Sequence, residues 1–132
     1  ESLFKLKNLT FYSFQMELTP KEIKLANKNK IVVFDKSFDK LNGAFMDTAA
    51  IMKNLDLVIT VDTSIAHLAG GLGVPVWVLL PKGSDWRWMR NGDSSPWYPT
   101  MRLFRQPNHD DWISMVDEVK NELEKLMKRN KV

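Results

Sequence analysis

The sequence contains no cysteine and only two histidines among 132 residues. The lack of cysteine excludes disulfide bonds, thiolate metal ligands and a cysteine nucleophile, and two histidines so far apart in sequence form no recognisable metal motif. No apolar run approaches the roughly 20 residues needed to span a bilayer, and no signal-peptide pattern is visible. We therefore expect a cytoplasmic protein without a metal site.

Other signatures are also missing. The sequence has no Gly-x-Gly-x-x-Gly fingerprint, no P-loop and no Gly-x-Ser-x-Gly elbow, which are common motifs of nucleotide-binding proteins and hydrolases. The formal net charge is only +3, and many lysines lie in residues 21–30 and 125–131, a pattern typical of solvated helix faces. A dense basic stripe with interleaved aromatics is lacking, so we expect no nucleic-acid partner.

Apolar strand-like segments alternate with amphipathic helix-like ones. Strands are expected at residues 10–14, 31–34, 57–61, 76–80 and 101–104, and helices at residues 19–28, 47–54, 64–72 and 110–129. The alternation predicts parallel βαβ units in a Rossmann-like α/β fold, a three-layer α/β/α arrangement in one domain spanning residues 1–132. The apolar and β-branched segment 57–61 and the continuous apolar segment 76–80 predict central strands, and the first is expected to be buried on both faces.

Two further expectations concern helix ends. Leu3, Leu6 and Leu9 have the spacing of a helix tail entering the first strand, which suggests a domain truncated at its N-terminus. Asp47 or Thr48 is expected to cap the helix that runs to residue 54.

The segment between strand 57–61 and the following helix is the most informative. Ligands of open α/β sheets bind outside the carboxyl ends of the strands, and the free N–H groups and dipole of a helix N-terminus favour an anion there. Thr63 and Ser64 add hydroxyl donors, and His67 can lean back toward the same helix end. Together with Asp62, these residues predict a phosphate-binding site.

A purely structural interpretation stays open for the same segment. Asp62 or Thr63 then simply caps the helix, and His67 is a satisfied, partly buried histidine. The helix and its C-terminal end are rich in small residues, namely Ala66, Ala69, Gly70 and Gly73. They predict close packing against the sheet, which is also what lets a backbone approach a ligand.

The long loop at residues 81–99 has two interpretations. It contains three tryptophans, Trp86, Trp88 and Trp97. In the first interpretation it is a binding platform, with aromatic faces for a sugar or base, Arg87 or Arg90 for phosphate and Asp85 for sugar hydroxyls. In the second, which we favour for at least two of the tryptophans, the loop packs on itself, and Trp86 and Trp88 fill a minor core.

These residues resemble a known family. Residues 56–70 and 73–81 are similar to the C-terminal domain of family 9 glycosyltransferases, a group that includes the ADP-heptose:lipopolysaccharide heptosyltransferases. Residues 85–88 and 95–106 resemble a bacterial subgroup often joined to tetratricopeptide repeats. The helix start Asp47-Thr48-Ala49-Ala50 is also similar to that of the family.

The resemblance implies the C-terminal half of a GT-B fold, which binds the nucleotide-diphosphate sugar donor. The family's Asp-Thr-[Gly/Ser]-x-x-His pattern, which grips the donor diphosphate, falls on Asp62, Thr63, Ser64 and His67. Transfer of a heptose-like sugar would need no metal and no other cofactor, because the helix dipole and hydroxyls stabilise the leaving diphosphate. The implied partners are an N-terminal acceptor domain or tetratricopeptide repeats. Since the family's catalytic carboxylate lies in that N-terminal domain, we expect no catalytic residue and no activity in this chain alone.

The resemblance extends to an early strand. Residues 11–15 are similar to the family's strand ending in Ser-Leu-Gln, which implies a donor contact for Gln15. Met16 and Glu17 replace the Lys-Gly pair that often follows in the subgroup.

Two alternatives remain. A non-catalytic remnant or protein-interaction module with the same fold would show no nucleotide response and would self-associate through its exposed apolar surface. A related GT-B-type epimerase ranks last, because the tryptophan-rich loop has no counterpart there that we can place.

Overall fold

The computed structural model describes residues 2–130, and the chain divides into two compact units, Glu1–Thr48 and Ala49–Val132. The strands are β1 (Tyr12–Ser13), β2 (Val32–Val33), β3 (Val58–Val61), β4 (Val76–Leu80) and β5 (Met101–Arg105). The helices are α1 (Pro20–Lys28), α2 (Met46–Met52), α3 (Ser64–Gly71) and α4 (Trp112–Arg129), with 3-10 turns at Leu3–Lys5 and Trp86–Trp88. None of the helices in residues 2–130 is long and apolar enough to cross a membrane.

In the first unit, helix α1 begins with a capping box. The Thr19 hydroxyl accepts from the Glu22 N–H at 3.3 Å, and the Glu22 carboxylate accepts from the Thr19 N–H at 2.7 Å. Pro20 occupies the first helical position, where its missing N–H costs nothing. The bounds predicted for this helix from the local sequence are therefore confirmed.

The parallel pair β1–β2 is shorter than the sequence predicts. Only Tyr12 pairs with Val32 and Ser13 with Val33, although five-residue and four-residue strands were expected. Among the described residues of this unit, neither strand has a further hydrogen-bonded neighbour, and an isolated two-stranded pair has little to stabilise it. The expected helix tail at residues 3–9 is only a single 3-10 turn.

Helix α2 is capped by a residue that the sequence analysis did not identify. The Asp39 carboxylate accepts from the Thr48 N–H at 3.0 Å and from the Thr48 hydroxyl, while Asp47 accepts from the Asp39 N–H at 2.8 Å. The helix begins at Met46, so Asp47 and Thr48 lie inside its first turn. The expectation that one of them is the cap is wrong, because the cap comes from the preceding loop.

The second unit contains a three-stranded parallel sheet in the order β3-β4-β5. With the parallel pair of the first unit, this arrangement confirms the predicted α/β class and is compatible with a Rossmann-like fold. All five residues of β4 are buried, as expected for a central strand. Strand β3 is at the edge of this sheet, and Val61 is 44% exposed. The prediction that β3 is buried on both faces is therefore wrong.

Helix α3 is the crossover between β3 and β4, and it ends in a Schellman motif. Gly73 adopts φ +69°, its N–H donates to Gly70, and the Val74 N–H donates to Ala69 at 3.0 Å. A left-handed residue at this position is what glycine provides without strain.

The connection between β4 and β5 is unusual, because these parallel neighbours are joined by a loop rather than a helix. Trp88, in the 3-10 turn of this loop, is completely buried. The Arg105 guanidinium donates to the carbonyls of Gly92, Met89 and Trp88 and to the Ser84 hydroxyl. Its burial lowers the pKa of Arg105, although a guanidinium stays protonated in proteins. The loop is therefore fastened to β5 through its backbone.

The same loop packs on helix α3 through Tyr98. A Cβ atom added to Gly70 would lie 2.5 Å from Tyr98 Cγ and 3.0 Å from Tyr98 Cβ. Ala66 and Ala69 are completely buried, as close packing of this helix requires. Gly70, however, packs on the ring of Tyr98 in the loop and not on the sheet as predicted.

We expect Gly70→Ala to lower the free energy of unfolding by about 1–3 kcal/mol, the usual cost of overpacking. The clashing atoms belong to the base of the Tyr98 side chain, so they cannot move without displacing the loop. Urea unfolding measures the effect. Gly71→Ala is the matched control, since a Cβ there has no neighbour within 4 Å and helix propensity alone should stabilise by up to about 1 kcal/mol. Equal effects of the two variants would contradict the packing.

Helix α4 is joined to β5 by an ion pair. Arg102 Nη1 lies 2.6 Å from Glu122 Oε2, and Lys125 Nζ lies 2.7 Å from Glu122 Oε1. The hydrogen bond from Arg102, and then that from Lys125, lowers the pKa of Glu122 from 4.5 to about 2.

This pKa shift predicts an acid-sensitive contribution to stability. Because the folded-state pKa of Glu122 is below its unfolded value, the stabilisation is complete above pH 4.5 and is lost as the pH falls toward 2. Glu122→Gln should destabilise the protein near neutral pH, and the difference from wild type should vanish near pH 2. Urea unfolding across this range measures it, with the exposed Glu118→Gln as control. A difference that does not depend on pH would contradict the assignment.

Candidate functional site

The turn from β3 into α3 presents three polar side chains to solvent. Asp62, Thr63 and Ser64 follow the carboxyl end of β3 directly, and all three are exposed. Thr63 is the N-cap residue, with extended backbone angles of φ −142° and ψ 174°. The structure therefore brings these predicted residues together at one edge of the sheet.

The N-terminus of α3 has no side-chain cap. Within residues 2–130, the Thr63 side chain makes no capping hydrogen bond, and its hydroxyl lies 3.3 Å from that of Thr60. The Ala66 N–H donates to the Thr63 carbonyl at 3.0 Å, whereas those of Ser64 and Ile65 have no acceptor in the described part of the chain. Two N–H groups and a helix dipole are thus available to an anion.

His67 lies one turn further along α3 and is half-buried. Its Nδ1 is 3.0 Å from the Tyr98 hydroxyl, and its ring stacks on Trp88 with centroids 5.3 Å apart and an interplanar angle of 25°. The imidazole is therefore held by the loop on one nitrogen and one face. Among the described residues, Nε2 has no hydrogen-bond partner.

Asp85 and Arg87, predicted to contact sugar and phosphate, contact each other. The Asp85 carboxylate accepts from the Arg87 N–H at 3.0 Å and lies 3.4 Å from Arg87 Nε. The Arg87 guanidinium also lies over the Trp86 ring, 5.9 Å from its centroid. This arrangement stabilises the 3-10 turn, and a ligand contact of either residue stays a prediction.

The tryptophans of the loop differ in burial. Trp88 fills a small core, as the structural interpretation predicts, but Trp86 is 72% and Trp97 58% exposed. The prediction that at least two are buried is therefore wrong. Trp86 precedes the buried position in a tight 3-10 turn, and Trp97 is held at the surface because its Nε1 donates to the Arg87 carbonyl at 3.1 Å.

Gln15 belongs to the first unit, where it takes part in the α1 capping network. Its side-chain amide donates to Glu22 Oε1 at 3.1 Å and to the Glu17 carbonyl at 3.2 Å. It also lines a cavity of about 200 Å³ in that unit, together with Phe4, Ser13, Leu18, Glu22, Leu25, Ala26 and Ile31. Its predicted donor contact stays a prediction.

Sequence reasoning missed Tyr98 as a site residue. Tyr98 is separated from His67 by 31 positions, and no local pattern connects the two. The glycine at position 70 is the only local hint, since it leaves room on α3 for a large neighbour. In the described residues, no group of three histidine or acidic side chains is placed to hold a metal ion.

Comparisons with known proteins are sparse. No family model matches the chain, and no solved structure gives a significant match. The chain is similar to Protein FlbA of Caulobacter vibrioides, with 36% identity over 67 residues. The match covers 50% of this chain but only 11% of the FlbA length, so it leaves the family of the chain open.

Proposed function

We propose that this chain carries the donor-binding site of a family 9 glycosyltransferase, and that the site binds the diphosphate of a nucleotide sugar. The observation that carries the proposal is the uncapped N-terminus of α3 at the carboxyl end of β3, with Asp62, Thr63 and Ser64 exposed around it. This is where α/β proteins bind phosphate. The sequence resemblance independently assigns the diphosphate to the same residues.

The chemistry of the site follows from these groups. The N–H groups at the start of α3, the hydroxyls of Thr63 and Ser64 and the imidazole of His67 donate to phosphate oxygens. As the glycosidic bond to the diphosphate breaks, negative charge develops on the leaving phosphate, and these fixed donors stabilise it without a cation. The catalytic carboxylate and the binding site for the acceptor belong to another domain. The sugar transferred is heptose-like.

The proposed function predicts selective nucleotide binding. Titration with ADP, UDP, GDP and CMP should raise the melting temperature with one of them, since a ligand at about 100 times its Kd adds roughly 2.7 kcal/mol. Inorganic pyrophosphate serves as the control for anion binding alone. If none of the four nucleotides raises the melting temperature, the proposal is contradicted.

A threonine variant distinguishes a ligand-binding role of Thr63 from a helix-capping role. The Thr63 side chain makes no capping bond within the described residues, and its 3.3 Å contact with the Thr60 hydroxyl is exposed to solvent. Thr63→Val should therefore change the melting temperature little. It should weaken nucleotide binding by about tenfold, the value of a hydrogen bond to a charged group. Isothermal titration calorimetry and thermal unfolding measure the two effects.

Thr19→Val is the matched control, since Thr19 caps α1 with both bonds of a capping box. It should cost about 1 kcal/mol of stability and leave nucleotide affinity unchanged. If Thr63→Val instead destabilises the protein and spares binding, Thr63 is a structural cap.

A protein-interaction module is the second candidate. It is favoured by the exposed apolar side chains of the first unit, where Tyr12, Val32 and Val33 lie on the two short strands. Such a module would show no nucleotide response, and light scattering after size-exclusion chromatography would show a concentration-dependent oligomer.

A further inference from the structure

We infer that Tyr98 is a positioning residue for His67, and that its hydroxyl donates to His67 Nδ1 so that the ring proton resides on Nε2. The inference rests on the proposed function, because it assigns Nε2–H as the imidazole donor to the diphosphate. Tyr98 itself touches no ligand in this scheme and acts through His67.

Three contacts fix the tyrosine and the histidine relative to each other. The Tyr98 ring packs on α3 where Gly70 leaves room for it. Its hydroxyl lies 3.0 Å from His67 Nδ1, and Trp88 covers one face of the imidazole. The imidazole can therefore neither rotate freely nor exchange its two nitrogens without breaking a hydrogen bond.

The direction of this hydrogen bond decides what His67 can do. In a neutral imidazole one nitrogen donates and the other accepts. If the Tyr98 O–H donates to Nδ1, the proton is on Nε2, and a neutral His67 can donate to a phosphate oxygen. The opposite direction leaves a neutral Nε2 as an acceptor, which would repel the same oxygen.

The loop that carries Tyr98 is held by hydrogen bonds at several points. Arg105 binds three backbone carbonyls and one hydroxyl of the loop, spread between Ser84 and Gly92. Beyond that segment, the Tyr98 carbonyl accepts from the Met101 N–H at 3.1 Å, at the start of β5. Tyr98 is thus tied to the sheet and to α3 at once.

Tyr98→Phe tests the inference, since it removes the hydroxyl and keeps the ring against Gly70. Nitrogen-15 NMR of the imidazole reports the tautomer, and the His109→Ala variant assigns the two histidines of the chain. In the wild type above the titration range of histidine, we expect a protonated Nε2 and an unprotonated Nδ1 for His67. In Tyr98→Phe the two nitrogen chemical shifts of His67 should move toward each other, because both tautomers become populated. The nitrogen chemical shifts of His109 should not change.

Calorimetry with the nucleotide selected by the thermal titration supplies the functional readout. Tyr98→Phe should weaken binding by about threefold to tenfold, the net value of one hydrogen bond. In the His67→Ala background the same change should have no further effect, because Tyr98 acts only through His67. The control is Tyr12→Phe, which changes the other tyrosine of the chain. This variant should bind the nucleotide as tightly as the wild type does.

Failure of the inference and failure of the proposed function differ in outcome. If the wild type binds no nucleotide, the proposed function is overturned, and the inference with it. If wild type and Tyr12→Phe bind and His67→Ala weakens binding, but Tyr98→Phe binds normally, only the inference is overturned. A wild-type His67 protonated on Nδ1 in its neutral form would also overturn it.

Discussion

The arrangement of the second unit depends on one topological constraint: β4 and β5 are parallel neighbours joined without a crossover helix. A parallel connection must cross from one end of the sheet to the other, and a helix normally covers the sheet as it does so. Here the loop covers it, with Trp88 completely buried and Arg105 binding the loop backbone. The loop also brings Tyr98 onto α3. The surroundings of His67 are therefore a consequence of how this one connection is made.

The N-termini of the four helices differ in whether a side chain caps them. Helices α1, α2 and α4 each donate a backbone N–H to a side-chain oxygen, that of Thr19, Asp39 and Asp111 respectively. Within the described residues no N–H at the start of α3 donates to a capping side chain, although Thr63 occupies the N-cap position. A cap contributes about 1 kcal/mol, and local rules tend to be broken at functional sites. This contrast supports a ligand at α3 better than any single contact does.

The sequence predicts the features whose causes are local. The start of α1 follows from Thr19, Pro20 and Glu22, which are close together in the chain, and β4 follows from five consecutive apolar residues. The Asp62-Thr63-Ser64 turn is likewise predicted from the residues on either side of it. Expectations about Trp86 and about strand β3 were wrong, because exposure is decided by what packs on a residue from elsewhere in the chain.

The cap of α2 and the partner of His67 were missed for the same reason. Asp39 reaches Thr48 across nine positions, and Tyr98 reaches His67 across 31. Neither separation along the chain corresponds to the period of a helix or a strand, so no pattern in one sequence indicates such a pair. The contact between Gly70 and Tyr98 shows how far a single sequence can predict such a pair. The small residue is visible in the sequence, but the ring that packs on it is identified only by the fold.

Asp62 bears on what the proposed site would prefer to bind. Its carboxylate stands one position before the N-cap of α3 and is exposed, so a bare phosphate at the helix end would meet a like charge as well as the donors. A carboxylate accepts hydrogen bonds from hydroxyls, and a ligand that carries a ribose or sugar next to its phosphates can supply them. The same residue that disfavours inorganic pyrophosphate would then favour a nucleotide diphosphate. Under the proposed function Asp62, which the resemblance places in the diphosphate pattern, would then act on ribose or sugar hydroxyls, while the N–H groups, Thr63, Ser64 and His67 would supply the affinity for phosphate.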